Sequence, residues 1–345
     1  MASDIKLTKL AQCAGCGAKV GAGTLSSILG DLRTVNDPRL IVGFDKSDDA
    51  SAYRVRDDLA VVQTLDFFPP IHDDPYTFGQ IAAANAMSDI YAMGGEPKLC
   101  QNILLMPKDM DMDAVHDLLR GGNDKACEAG ALITGGHSIY DDTLKYGMCV
   151  TAFMPPERIL KNHGARTNDV LILTKPIGVG ILATGARGGL LSSGGARLMT
   201  ELMLTLNKAA RDIMVKYRVH ACTDVTGFSL LGHLCEMLEG SGAAATIAVD
   251  DIDLIPEALE LARMGVLPEG VYRNRRFAQS RVDFGTIDLA RADMLFDPQT
   301  SGGLLMAVDP DDAAALLCEL KSAVPSAQRI GTVREPGDGA LIALV

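Results

Sequence analysis

The segment from Tyr76 to Met93, YTFGQIAAANAMSDIYAM, constrains the fold more than any other stretch of this 345-residue chain. It predicts one long helix, stopped by Gly94 and Gly95 with Pro97 just beyond, because glycine accepts left-handed backbone and proline cannot continue a helix. Its filling of Ala, Ile and Met suits an interior position. Asn85 and Asp89 lie four residues apart and therefore share one helix face. An unpaired carboxylate is costly to bury in such surroundings, so Asp89 does not read as an ordinary surface charge.

Strand-like runs flank this helix. RLIVGF, ASAYRV and LAVVQTLDFF precede it, separated by the turn-forming KSDD and RDD, and LCQNILLM follows it. A helix from about Met112 to Glu128 and the strands ALITGG and KYGMCVTAFM complete one α/β unit, which ends near residue 155 at PPERIL. A second unit opens with DVLILTKPIG. It continues with a long helix over ARLMTELMLTLNKAARDIMVKY and another beginning near VTGFSLLGHLCEMLEG. It closes with the strands GGLLMAV and ALIALV around the helix DDAAALLCELKSAV.

The expectation is an α/β chain of the α+β type. A glycine-rich loop over residues 1–37, with a short helical pattern at TLSSILGDL, precedes two domains at 38–156 and 157–345. The length suits two domains. A composition of 48% hydrophobic residues excludes disorder, and the absence of Trp with 5% aromatics favours α/β packing over a β-sandwich.

The formal net charge is −12 and no long Lys/Arg run exists, which argues against nucleic acid as a partner. No run of about 18 apolar residues suggests a membrane span, and MASDIKLTKL lacks the apolar centre of a signal peptide. A cytoplasmic setting is expected, in which the eight cysteines are thiols. Cys100, Cys127, Cys149, Cys235 and Cys318 read as small buried hydrophobes. An acidic protein that binds an anionic substrate needs glycine-rich backbone, a few placed cations, or metal ions.

Three groups of residues carry chemistry. The first is acidic: Asp48 and Asp49 in a turn between strands, Asp66 near the end of an apolar strand, Asp89 on the long helix, and Asp224 just before a helix start. Such carboxylates suit Mg²⁺ when phosphates supply the remaining oxygens, although Asp224 alone is as readily an N-cap and Asp48 and Asp49 ordinary turn residues. The second is glycine-rich: TGGHS (134–138), KPIGVG (175–180) and QTSGGLL (299–305). These segments can offer N–H groups to phosphate, yet none fits the P-loop or G-x-G-x-x-G pattern, and any one of them taken alone reads as a plain tight turn. The third is CAGCGAKVG (13–21). No second C-x-x-C exists to complete a zinc site. That leaves a mobile loop with a thiol at Cys16 and an ammonium at Lys19, whose proximity favours the thiolate.

GCGAK, SDDASAY, TLDFF, NAMSDIYAMGGEP, GGHSI, LTKPIGVG, TDVTGFSLLGH and DPQTSGGLL, in that order over nearly the whole chain, resemble the selenophosphate synthetase (selenide, water dikinase) family. DIYAMGG with DVTGF is shared with the wider aminoimidazole ribonucleotide synthetase superfamily. The resemblance implies that superfamily's two-domain fold, with strands of the N-terminal domain pairing across a homodimer. It implies that ATP, hydrogen selenide and water become selenophosphate, AMP and orthophosphate, with Mg²⁺ required, and it leaves open a monovalent cation and a selenium-delivery protein. It places catalysis on Cys16 and Lys19, metal ligation on Asp49, Asp89 and Asp224, and nucleotide contacts on Lys19, Lys46, Ser47, Asp48, Asp66 and Asp89. Gly136, His137 and Ser138 would reach the nucleotide from the partner subunit. Many members carry a second cysteine where this chain has Ala18, and the resemblance leaves open whether Cys13 replaces it. The rival readings are another ATP-dependent member of the superfamily, which has no need of Cys16 and Lys19 in the opening loop, and a non-catalytic thiol or zinc-binding module.

Overall fold

The computed structural model describes residues 6–10, 14–21, 24, 28–29, 35–43 and 48–345. Cys13, Lys46, Ser47 and most of the helical pattern at 24–32 lie outside the described residues.

Strands β1 (Leu40–Val42), β2 (Ser51–Arg56), β3 (Leu59–Phe68), β4 (Leu99–Met106), β5 (Leu132–Tyr140) and β6 (Lys145–Met154) form a six-stranded sheet in the order β1-β2-β3-β6-β4-β5. Side chains alternate across it. On β3, Ala60, Val62, Thr64, Asp66 and Phe68 are buried, while Leu65 and Phe67 face outward. Helix α1 (Pro75–Ala92) lies across β3 and β6, with α2 (Met112–Ala129) packed beside it. Asp74 caps α1 by accepting the Thr77 N–H, and Pro75 occupies the first turn, where no N–H is missed.

The second sheet holds β7 (Val170–Leu173), β8 (Val219–Asp224), β9 (Ala244–Ile247), β10 (Val282–Asp283), β11 (Leu304–Val308), β12 (Gln328–Arg334) and β13 (Ile342–Leu344), in the order β10-β13-β9-β12-β7-β11-β8. Its helices are α3 (Val179–Arg187), α4 (Ser193–Leu204), α5 (Lys208–Met214), α6 (Ser229–Ser241), α7 (Pro256–Arg263), α8 (Glu269–Ala278), α9 (Leu289–Leu295) and α10 (Pro310–Ala323). Helix α1 is enclosed by the first sheet, α2, α4 and β8, which is why its small apolar residues run all round it rather than along one stripe.

Four sequence expectations are corrected. The long helix expected over residues 196–217 is two helices, broken at Thr205–Asn207. At the break Lys175 Nζ takes the Thr205 carbonyl at 2.6 Å and the Leu202 carbonyl at 3.2 Å, and Asn207 Nδ2 reaches Ser88 Oγ at 2.9 Å. TGGHS is not a turn but the interior of β5, where Gly136 pairs with Asn102 and a Cβ would lie 2.2 Å from the Asn102 carbonyl oxygen. Asp224 is the last residue of β8 and caps no helix; α6 begins at Ser229 after Phe228. Cys127 and Cys318 are exposed and Cys149 half-buried, whereas Cys100 and Cys235 are buried as expected.

The α1–α2 contact depends on glycine. A Cβ on Gly79 would lie 2.0 Å from the Leu118 carbonyl oxygen. Overpacking a rigid backbone contact of this kind costs roughly 1–3 kcal/mol. Gly79→Ala is therefore expected to lower the free energy of unfolding by about that amount, read as a lower urea midpoint at unchanged slope, with native circular dichroism retained. A midpoint equal to that of the parent protein would show that the two helices separate freely.

Candidate active site

The opening segment folds into a 3₁₀ turn at Gly15–Ala18 whose docking needs glycine. Gly15 sits at φ 54°, in the left-handed region, and a Cβ there would lie 2.5 Å from Thr300 Oγ1. Gly227, in the DVTGF segment, leaves room for the Cys16 carbonyl, which a Cβ would approach to 2.8 Å. The Gly15 N–H donates to the Pro69 carbonyl at 3.1 Å, the Cys16 N–H to Thr300 Oγ1 at 3.1 Å, and the Arg273 guanidinium to the Gly17 carbonyl. The loop expected to be mobile is thus seated against both halves of the protein.

Cys16 is 1% exposed. Its Sγ donates to Asn85 Oδ1 at 3.2 Å. Burial pushes the thiol up to about 12, against the pull of Lys19. The expected thiolate is therefore not the favoured form here, because burial outweighs the pull of Lys19, which is itself paired with Asp66 at 2.8 Å. Burial opposes the Lys19 ammonium, but Asp66 first, then Cys16 and Asp89, hold it well above the usual lysine range.

One turn of α1 beyond Asn85, Asp89 meets Asp49 and Asp224, and one carboxylate oxygen from each lies within 4.8 Å of the others. Hydroxyls steady all three. Thr64 donates to Asp89 at 2.5 Å, Thr223 donates to Asp49 at 2.6 Å, and Ser88 bonds Asp224. Asp49 Oδ2 and Asp224 Oδ2 are buried with no hydrogen-bond partner among the described residues. Burial first, then the neighbouring carboxylates, raises Asp49 and Asp89 well above the ordinary range, and burial raises Asp224. At an effective dielectric near 20, two like charges this close repel by roughly 3.5 kcal/mol or more. All-oxygen donors with orphaned lone pairs suit a hard divalent cation, which replaces that repulsion with attraction.

Asp48, beside Asp49, accepts the Asn162 N–H at 3.0 Å and lies 3.6 Å from His163 Nδ1. Gly136, His137 and Ser138 are not brought to this cluster. The lateral row Asp66–Met148–Asn102–Gly136 runs across four strands, so Gly136 stands three strand spacings away, roughly 14 Å. The other glycine-rich segments use their N–H groups internally: Gly178 and Val179 donate to Gln299 Oε1, Gly180 to Asp297, and Ser301 to Asn85. Sequence reasoning missed Thr64, Ser88, Thr223, Asn207 and Thr300 as supports of the site. Thr64 alone carried a signal, standing two residues from Asp66 on the buried face of the same strand.

Residues 47–154 match the AIR synthase related protein, N-terminal domain, and residues 166–343 match its C-terminal domain. A selenide, water dikinase of Clostridium botulinum (strain Eklund 17B / Type B) is 47% identical over 343 residues, 99% of each chain. One of Treponema denticola is 50% identical over 321 residues, 93% of this chain and 91% of that protein. The chain belongs to the selenide, water dikinase family. The family's fold extends to distant structures: thiamine-monophosphate kinase from Stenotrophomonas maltophilia superposes with a TM-score of 0.66 at 19% identity, covering 90% of this chain and 92% of that one. No helix among the described residues is long and apolar enough to cross a membrane.

The carboxylate cluster yields a signed pH dependence. Groups whose folded-state affinity for protons exceeds the unfolded one destabilise the fold as pH rises from about 4. A divalent cation competes with those protons, so its stabilising effect should grow with pH. Thermal melts at pH 5 and pH 8, with and without millimolar Mg²⁺, should show a larger Mg²⁺-dependent rise at pH 8, lost in Asp224→Asn. An equal rise in that variant would remove the cluster from metal binding.

Proposed function

We propose that the chain makes selenophosphate, AMP and orthophosphate from ATP, hydrogen selenide and water, in the cytoplasm, with Asp49, Asp89 and Asp224 holding Mg²⁺. The observation that carries this reading is the seating of Cys16 and Lys19 against Asn85 and Asp66, one helical turn from the carboxylate cluster. It joins near-full-length identity of 47% and 50% to selenide, water dikinases. The rival superfamily activities have no use for the docked thiol.

Asp49, Asp89 and Asp224 would hold Mg²⁺, which would supply neutralisation of the charge that develops on the phosphates. Lys19 exchanges Asp66 for a phosphate oxygen and steadies the transferring phosphoryl group. Cys16 orients the selenide nucleophile, and the seated turn keeps bulk water from that phosphorus. Asp66 and Asp48 position the nucleotide together with Lys46 and Ser47. Residues 38–156 form the ATP-binding and dimerisation unit and 157–345 the second domain, with 1–37 as a lid.

A homodimer suits the outer face of the first sheet. Leu65, Phe153 and Ile139 are 58%, 45% and 49% exposed there, and His137 shares a lateral row with Phe67. Stacking two such faces would cover the apolar surface and carry Gly136, His137 and Ser138 toward the second copy's nucleotide.

Phosphorus NMR with ATP and Mg²⁺, with and without selenide under anaerobic conditions, should show selenide-dependent selenophosphate with AMP and orthophosphate. Cys16→Ser should reduce that product more than 100-fold. ADP as the sole nucleotide product, indifferent to selenide, would move the chain to another branch of the superfamily. In light scattering the protein should run at twice the 36.5 kDa of one chain, and Leu65→Lys at the single-chain mass. A Leu65→Lys variant that stays dimeric would place the interface elsewhere.

A further inference from the structure

We infer that Asn85 is the positioning residue for the Cys16 thiol, the junction through which α1 aims that sulfur at the phosphoryl-transfer site. Its amide is committed on both sides. Oδ1 accepts the Ser301 N–H at 2.8 Å and the Cys16 S–H at 3.2 Å, while Nδ2 donates to Asp66 Oδ2 at 2.6 Å. The Ser301 N–H can only donate, which fixes the orientation of the amide without ambiguity. Asp66 Oδ2 in turn accepts from Lys19, so one side chain touches both members of the Cys16–Lys19 pair, Cys16 directly and Lys19 through Asp66.

The anchor behind Asn85 is stiff. Ser301 is a non-glycine residue at φ 50°, a conformation that persists only where its surroundings impose it. Here Asn85 holds its N–H and Lys175 Nζ takes its carbonyl at 2.7 Å. Asn85 is 1% exposed and one helical turn from Asp89, which sets the sulfur beside the carboxylate cluster rather than toward the protein surface. No other residue type of this size supplies an acceptor for two donors and a donor for a carboxylate. Leucine offers neither, and aspartate would oppose Asp66 with a second charge.

The test is Asn85→Leu in the full-length protein, read first by iodoacetamide labelling of the ligand-free form with peptide mapping. Labelling at Cys16 should be at least tenfold faster than in the parent protein. Cys235, fully buried in α6, should label at the parent rate. In kinetics, kcat for selenide-dependent selenophosphate formation should fall more than 30-fold, while affinity for a non-hydrolysable ATP analogue stays within threefold. Unchanged labelling at Cys16, or equal acceleration at both cysteines, would overturn the inference, the latter by showing general loosening. If Asn85→Leu does not fold, Asn85→Gln, which keeps the amide but displaces it by one methylene, is judged by the same labelling criteria. The kinetic readout rests on the proposed function and the labelling does not. Parent protein that makes no selenophosphate while Cys16 labelling responds would refute that function and leave the positioning role standing.

Discussion

A helix buried on every side must still satisfy each polar group it carries, and α1 carries three on one stripe: Asn85, Ser88 and Asp89, at i, i+3 and i+4. Each buried donor or acceptor left unmatched costs on the order of 1–3 kcal/mol, so the stripe determines what surrounds it. Asn85 is met by Cys16, Ser301 and Asp66, Ser88 by Asn207 and Asp224, and Asp89 by Thr64. These partners come from the opening turn, the first sheet, β8, the α4–α5 break and the loop before β11. The polar stripe is therefore the seam at which the whole chain converges, and the candidate active site is that seam.

The opening turn shows how packing and electrostatics pull against each other. Seating it required glycine at 15 and 227, and the same seating took Cys16 out of water. A solvated thiol three residues from a lysine would ionise more readily; a buried one facing an amide oxygen does not. Burial decides the balance over the pull of Lys19, and Asp66, which pairs with that ammonium, adds to the same side.

Much of the fold was legible because its strongest signals were local. The strand run of β3, the stop after α1 and the strands on either side of it all came from apolar runs bounded by turn residues and from glycine and proline placement. The carboxylate cluster was legible as residue types and as a family resemblance, and the structure brings Asp49, Asp89 and Asp224 together from three separate elements. What failed was non-local. Residues 196–217 carry unbroken helical periodicity, and the break at Thr205–Asn207 is imposed by Lys175 and Ser88, some 30 and 119 positions away. TGGHS looked like a turn because two glycines usually make one, but close pairing with Asn102 uses them within a strand. The thiol's protonation could not be read from Lys19 alone, since burial and Asp66 come from tertiary contacts.

The charge balance of the ligand-free site explains why an acidic chain can receive a triphosphate there. Lys19 and Asp66 form a pair, the Cys16 thiol is neutral, and the carboxylate cluster is held by hydroxyls with two buried oxygens unmatched. A divalent cation there would satisfy those oxygens and offset most of the charge of the three carboxylates. Among the described residues Lys19 and Asn85 are the side-chain donors to Asp66, so a phosphate that drew Lys19 away would leave Asn85 in place. One amide thus holds the Cys16 sulfur and steadies Asp66, and a change at Asn85 reaches Cys16 through a direct hydrogen bond rather than through any distant rearrangement.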